Sequence, residues 1–127
     1  MRQIIARGVS CVLVLAALVF AAAAPARVQT KFDGNWSVLV ITDAGDCDRA
    51  YRYGVMIAGG QIHYVGDAGG IELHGAVGND GKVTVAVRLG DRSASGTGLL
   101  ASDTGEGIWQ GAGSGGRCSG RWEAERR

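Results

Sequence analysis

Asn79-Asp80-Gly81-Lys82-Val83-Thr84-Val85-Ala86-Val87-Arg88-Leu89-Gly90-Asp91 is the stretch that decides the fold class. Val83, Val85, Val87 and Leu89 alternate with Lys82, Thr84, Ala86 and Arg88. In an extended chain successive side chains point to opposite faces, so this alternation gives one apolar face and one wet face. Asn79-Asp80-Gly81 before it is a strong hairpin signal, and Gly90-Asp91 after it is a second turn. The segment therefore reads as an antiparallel strand between two tight turns.

The same pattern extends in both directions. Upstream, strands are predicted at Asn35 to Thr42, Tyr51 to Ile57, Gln61 to Val65 and Ile71 to Val77. Downstream they are predicted at Arg92 to Leu100, Glu106 to Ala112 and Arg117 to Ala124. Turn residues separate them, including Ala58-Gly59-Gly60, Gly66 to Gly70, Ser102 to Gly105 and Gly113 to Gly116. No segment keeps a helical period. Short connections favour antiparallel neighbours in chain order. The expectation is all-β: a small eight-stranded antiparallel up-and-down barrel over residues 35–127, with a two-sheet β-sandwich as the alternative.

The chain before the strands is different. Arg2 and Arg7 precede an uncharged apolar run from Gly8 to Phe20, and small residues end at Ala24-Pro25-Ala26. This is the pattern of a signal peptide over residues 1–26. The apolar run is too short for a spanning helix, which needs about 20 residues. Residues 27–34 read as a polar lead-in. The protein is therefore expected to be periplasmic or secreted. Cys11 lies at the start of the apolar run, not after it, so a lipoprotein is not indicated. The chain carries 13 Lys and Arg against 12 Asp and Glu, with no basic block, which argues against nucleic acid. A membrane barrel needs strands of about 9 to 11 residues with an apolar outer face. Most of the predicted strands are shorter, and their outer faces carry Arg52, Glu72, Lys82, Arg88, Arg117, Arg121 and Glu123, so no membrane partner is expected.

Loss of the leader takes Cys11 and leaves Cys47 and Cys118. Two cysteines in an oxidising compartment are expected to form a disulfide. Cys47 follows the first strand and Cys118 begins the last, so the bond would staple first to last and close the ring. The three tryptophans fall in a repeated triplet: Gly34-Asn35-Trp36, Gly107-Ile108-Trp109 and Gly120-Arg121-Trp122. Glycine and tryptophan two apart share a face, which leaves a gap beside each indole. Pairing of first and last strands would gather all three indoles.

At Gly34-Asn35-Trp36 the chain resembles the calycin superfamily of lipocalins and avidins. That resemblance implies a barrel whose first-strand tryptophan packs against a basic residue from the barrel's end, here Arg121 or Arg126. Over Phe32-Asp33-Gly34-Asn35-Trp36, Cys47 to Tyr53, and Gly107 to Trp122 it also resembles a group of small exported bacterial β proteins. Some of those carry labels mentioning haem utilisation or exoproteins.

Candidate site residues are few. Trp36, Trp109, Trp122, Tyr51, Tyr53 and Tyr64 could line a ligand cavity at one barrel mouth, or could fill the core. His63 and His74 would face each other if Tyr64 pairs with Leu73, and could then hold a metal or haem. The plainer reading is two solvated surface histidines. Asp43, Asp46 and Asp48 read as a calcium site or as turn chemistry. No nucleophile motif or phosphate loop occurs, and no cofactor is implied. The first expectation is a non-catalytic binding module for a small apolar or aromatic ligand. The second is a protein-binding module, such as a periplasmic enzyme inhibitor. Haem or metal handling is the third.

Overall fold

The alternation of Lys82–Leu89 repeats around a closed ring. The structure is a computed structural model that describes residues 16–19, 30–66 and 69–127. The signal peptide assigned to residues 1–26 lies, apart from residues 16–19, outside the described residues. The strands are β1 (Gly34–Ala44), β2 (Ala50–Ala58), β3 (Gln61–Val65), β4 (Ile71–Val77), β5 (Lys82–Leu89), β6 (Arg92–Ala101), β7 (Thr104–Gly113) and β8 (Gly116–Arg126). Each pairs antiparallel with its chain neighbours, and β1 closes onto β8. The barrel is thus the up-and-down form, and the sandwich alternative falls.

Several strands run longer than the sequence suggests. β1 and β8 have 11 residues each, β6 and β7 have 10. The added ends are glycine, alanine, threonine or charged residues, which read as turns in sequence yet keep the ladder once neighbours are in place. Strand length therefore does not distinguish this barrel from one in a membrane. The charged residues named on the outer faces are nonetheless exposed.

The core lies at one end of the barrel. Trp36, Val55, Ile57, Ile62, Val77, Val83, Leu100, Trp122 and Ala124 are buried together with Phe32. Phe32 precedes the first strand, in the segment that reads as a polar lead-in, and is 2% exposed. It seals the base from below. A Cβ on Gly81 would come within 3.3 Å of its ring, and that glycine also holds a φ of +88° in the Gly78–Gly81 turn. Each buried indole removes about 200 Å² from water, a contribution on the order of 5 kcal/mol.

Two of the glycine–tryptophan triplets interlock. Gly107 pairs with Trp122, and Trp109 pairs with Gly120. The indole of Trp122 crosses Gly107 on β7 and donates to the Thr97 carbonyl on β6 at 3.2 Å. The indole of Trp109 crosses Gly120 on β8 in the opposite direction and donates to the Ile41 carbonyl on β1 at 2.9 Å. A Cβ on Gly107 would lie 2.5 Å from Trp122, and one on Gly120 would lie 2.9 Å from Trp109 Nε1. Each glycine thus accommodates the other triplet's ring. Trp36 is held differently: its indole donates to the Phe32 carbonyl at 2.9 Å. All three indoles belong to one core.

Cys47 and Cys118 form the disulfide, with a Cα separation of 6.1 Å and 71 residues between them. It joins the loop after β1 to the start of β8, at the end opposite Phe32. Gly45, with a φ of +96°, passes so close that a Cβ would fall 2.7 Å from the Cys118 sulfur.

Replacing both Cys47 and Cys118 by Ala is expected to lower unfolding free energy by about 4 kcal/mol, read from the urea midpoint and slope. Gly107→Ala is expected to cost about 3 kcal/mol or more, because the new methyl meets both Trp122 and the Thr97 carbonyl. Gly115→Ala, where a Cβ meets nothing within 4 Å, is expected to leave the thermal midpoint unchanged. Equal effects of the two glycine changes would refute the interlock.

Candidate functional site: an open cup

Burial falls from base to mouth along the inward rows of β2 and β5, while at the β1–β8 seam Thr42 and Cys118 stay buried at the mouth. On β2, Ile57 is 3% exposed, Val55 8% and Tyr51 41%. On β5, Val83 is 7% exposed and Leu89 41%. A solid core would bury the middle and expose both ends. This gradient describes a cup, closed below and open above. Its cavity measures about 750 Å³.

The glycines explain why the interior is not filled. β6 and β7 turn Ala94, Gly96, Gly98, Gly105, Gly107, Gly111 and Gly113 inward. The lower members, Gly98, Gly105 and Gly107, are covered by Trp122. The upper members, Ala94, Gly111 and Gly113, line the cavity instead. The inward glycines therefore do both things expected of them, divided by height. An eight-stranded ring is just wide enough to be filled by side chains. Missing side chains on two adjacent strands leave a hollow in its upper half.

All six aromatic candidates line this cavity. Trp36 and Trp122 form its floor, and Trp109 is half-buried in the wall. The three tyrosines make a continuous panel. Tyr51 and Tyr53 have ring centroids 5.8 Å apart, and Tyr53 meets Tyr64 edge-on at 6.2 Å. The hydroxyl of Tyr51 donates to Asp48, and that hydrogen bond is the main cause that raises its pKa. Burial is the main cause that raises that of Tyr53. Both phenols therefore stay protonated at neutral pH. The disulfide and Asp46 sit at the same mouth.

The base is locked by two polar clamps. Asp33 accepts from Thr30 Oγ1 at 2.6 Å, from Gly59 N at 2.9 Å and from Gly60 N at 3.3 Å, fixing the Phe32 segment to the β2–β3 turn. These bonds, with Thr30 first, hold its carboxyl down at about 2. Arg126 lies over the Trp36 ring at 4.7 Å and donates to the carbonyls of Asp33 and Lys31, each at 2.7 Å. It also bridges Asp103 at 2.9 Å. Of the two arginines expected against Trp36, Arg126 is the one that packs on its ring. Arg121 points outward and pairs with Asp43 at 2.8 Å.

The remaining candidates do not converge. The β3–β4 ladder pairs Gln61 with Ala76 and Ile62 with Gly75. The ladder carries no register beyond Ile62–Gly75, short of His63 and Tyr64. Both histidines are exposed on the outer wall, away from the cavity. Asp43, Asp46 and Asp48 diverge, toward Arg121, the mouth and Tyr51 respectively. Among the described residues no group of three or more His, Cys, Asp or Glu could hold a metal ion. Sequence reading passed over two residues that matter here, Phe32 and Arg92. The inward place of Arg92 was legible, because it alternates with Ala94 and Gly96.

Comparison with protein-family models, curated proteins and solved structures finds no match for this chain.

Because the Asp33 carboxyl is held below its usual 3.8, its stabilising bonds persist above that pH and are lost as pH falls toward about 2. The denaturation midpoint of the protein is expected to drop over this window. Asp33→Asn is expected to be less stable at neutral pH and to show a shallower acid slope. Parallel acid curves for the two proteins would rule out the clamp.

Proposed function

We propose that this protein is a non-catalytic, exported binding module that takes a small apolar or aromatic ligand through the open end of its barrel. The observation that carries this reading is the cavity itself. About 750 Å³ lies within the range of about 300 to 1,000 Å³ typical of small-molecule sites. Its walls are mainly valine, leucine, isoleucine, alanine and aromatic rings, which give dispersion and stacking contacts, with Asp46, Asp48 and Arg92 among its lining. The floor is rigid, because each of its indoles has its N–H satisfied. A preformed cavity loses little conformational freedom on binding, so more of the contact energy appears as affinity. His63 and His74 lie outside it, so neither serves as a base for chemistry on a bound molecule. Export is supported by the leader pattern and by the disulfide, a bond favoured in the periplasm and outside the cell.

The test uses N-phenyl-1-naphthylamine, a neutral dye that brightens in apolar surroundings. Titration of the oxidised protein is expected to give saturable enhancement with one site per chain. Ala94→Trp, which places an indole in the hollow beside Gly111, is expected to weaken dye binding by about tenfold or more. Its circular dichroism and thermal midpoint report that the barrel is intact. Absence of saturable binding, or unchanged binding by a folded Ala94→Trp protein, would refute the reading.

A further inference from the structure

The rim of the cup is not chemically neutral. Arg92 opens β6 directly above Ala94 and lines the cavity. Its stem is laid along the inner wall where β7 ends: a Cβ on Gly113 would come within 2.9 Å of Arg92 Cγ. The glycine thus makes room for the arm. The guanidinium charge is felt by the Tyr51 phenol on the tyrosine panel.

Three other arginines of the barrel are committed: Arg121 pairs with Asp43, Arg126 with Asp103, and Arg52 donates to Ser37. Arg49, Arg88 and Arg117, which like Arg92 have no side-chain partner among the described residues, do not line the cavity. Arg92 forms no ion pair and no side-chain hydrogen bond among the described residues, and the Tyr53 and Tyr64 hydroxyls donate to nothing there. On the acceptor side, Asp48 is taken by Tyr51, and Asp46 is the one other carboxylate lining the cavity. The rim therefore holds one free guanidinium fork and two free phenol hydroxyls beside the Asp46 carboxylate. A guanidinium supplies five N–H groups in a fork that matches a carboxylate.

We propose that the ligand is an amphiphilic carboxylate, its apolar body in the cup and its carboxylate at the mouth against Arg92. This rests on the cavity reading above and adds the class of ligand and the residue that selects it. The apolar interior sets affinity for the body, and Arg92 sets preference for the head.

The experiment displaces bound N-phenyl-1-naphthylamine with three molecules of equal chain length below their aggregation limits: dodecanoate, dodecanol and dodecylammonium. Each displacement is normalised to the dye affinity of the variant used. Dodecanoate is expected to compete at a concentration about tenfold below dodecanol, and dodecylammonium no better than dodecanol. Arg92→Gln is expected to abolish the preference for the acid over the alcohol, and Arg92→Lys to retain part of it. Added salt is expected to narrow the preference in the unmodified protein, because the pair is exposed. Equal competition by acid and alcohol, tighter competition by the ammonium through Asp46, or a preference that survives Arg92→Gln would each overturn the proposal while leaving the cavity reading intact. Failure of the dye to bind would overturn both.

Discussion

An indole can lie flat across a neighbouring strand only where that strand carries no Cβ. That single steric condition is met twice, in reciprocal fashion, between β7 and β8. Trp122 crosses Gly107 to reach β6, and Trp109 crosses Gly120 to reach β1. Four consecutive strands around the ring are tied by two rings and two hydrogen bonds. A one-residue slip of β7 against β8 would set each indole against a side chain instead of a gap, so the interlock also fixes register. It also reinforces the closing contact between first and last strands, because the Ile41 carbonyl is the acceptor that Trp109 reaches.

The two ends of the barrel solve opposite problems. The base must exclude water from the apolar floor, and does so with Phe32 held by Asp33 on one side and Arg126 on the other. The mouth must stay open without leaving strand ends loose. There the disulfide does the holding, since a covalent link between the β1 loop and β8 fixes the rim without filling the hollow beneath it. Stability is concentrated below and space above, a division that leaves the lower half of the fold packed and the upper half hollow.

Much of this was legible in the chain. Alternation and turn residues placed all eight strands to within a few residues, and cysteine spacing placed the staple. Those features are local, or depend only on chain order. Phe32 was not legible as a plug, because a lone phenylalanine beside lysine and aspartate has no period to betray its burial. The choice between Arg121 and Arg126 for the Trp36 ring, by contrast, follows from alternation, which puts Arg126 on the face of Trp122 and Ala124 and Arg121 on the other.

By itself the sequence determined the fold class, the order of the strands, the disulfide partners and which aromatic residues would share a face. Short-range sterics and chain connectivity are enough for those. Whether the inward glycines make room for indoles or leave a void was decided only in three dimensions. The answer depends on the height at which Trp122 meets β6 and β7, a consequence of strand stagger around a closed ring. Below that height the glycine gaps are filled by Trp122, and above it Gly111 and Gly113 line open space beside the Arg92 stem, which turns a small barrel into a cup.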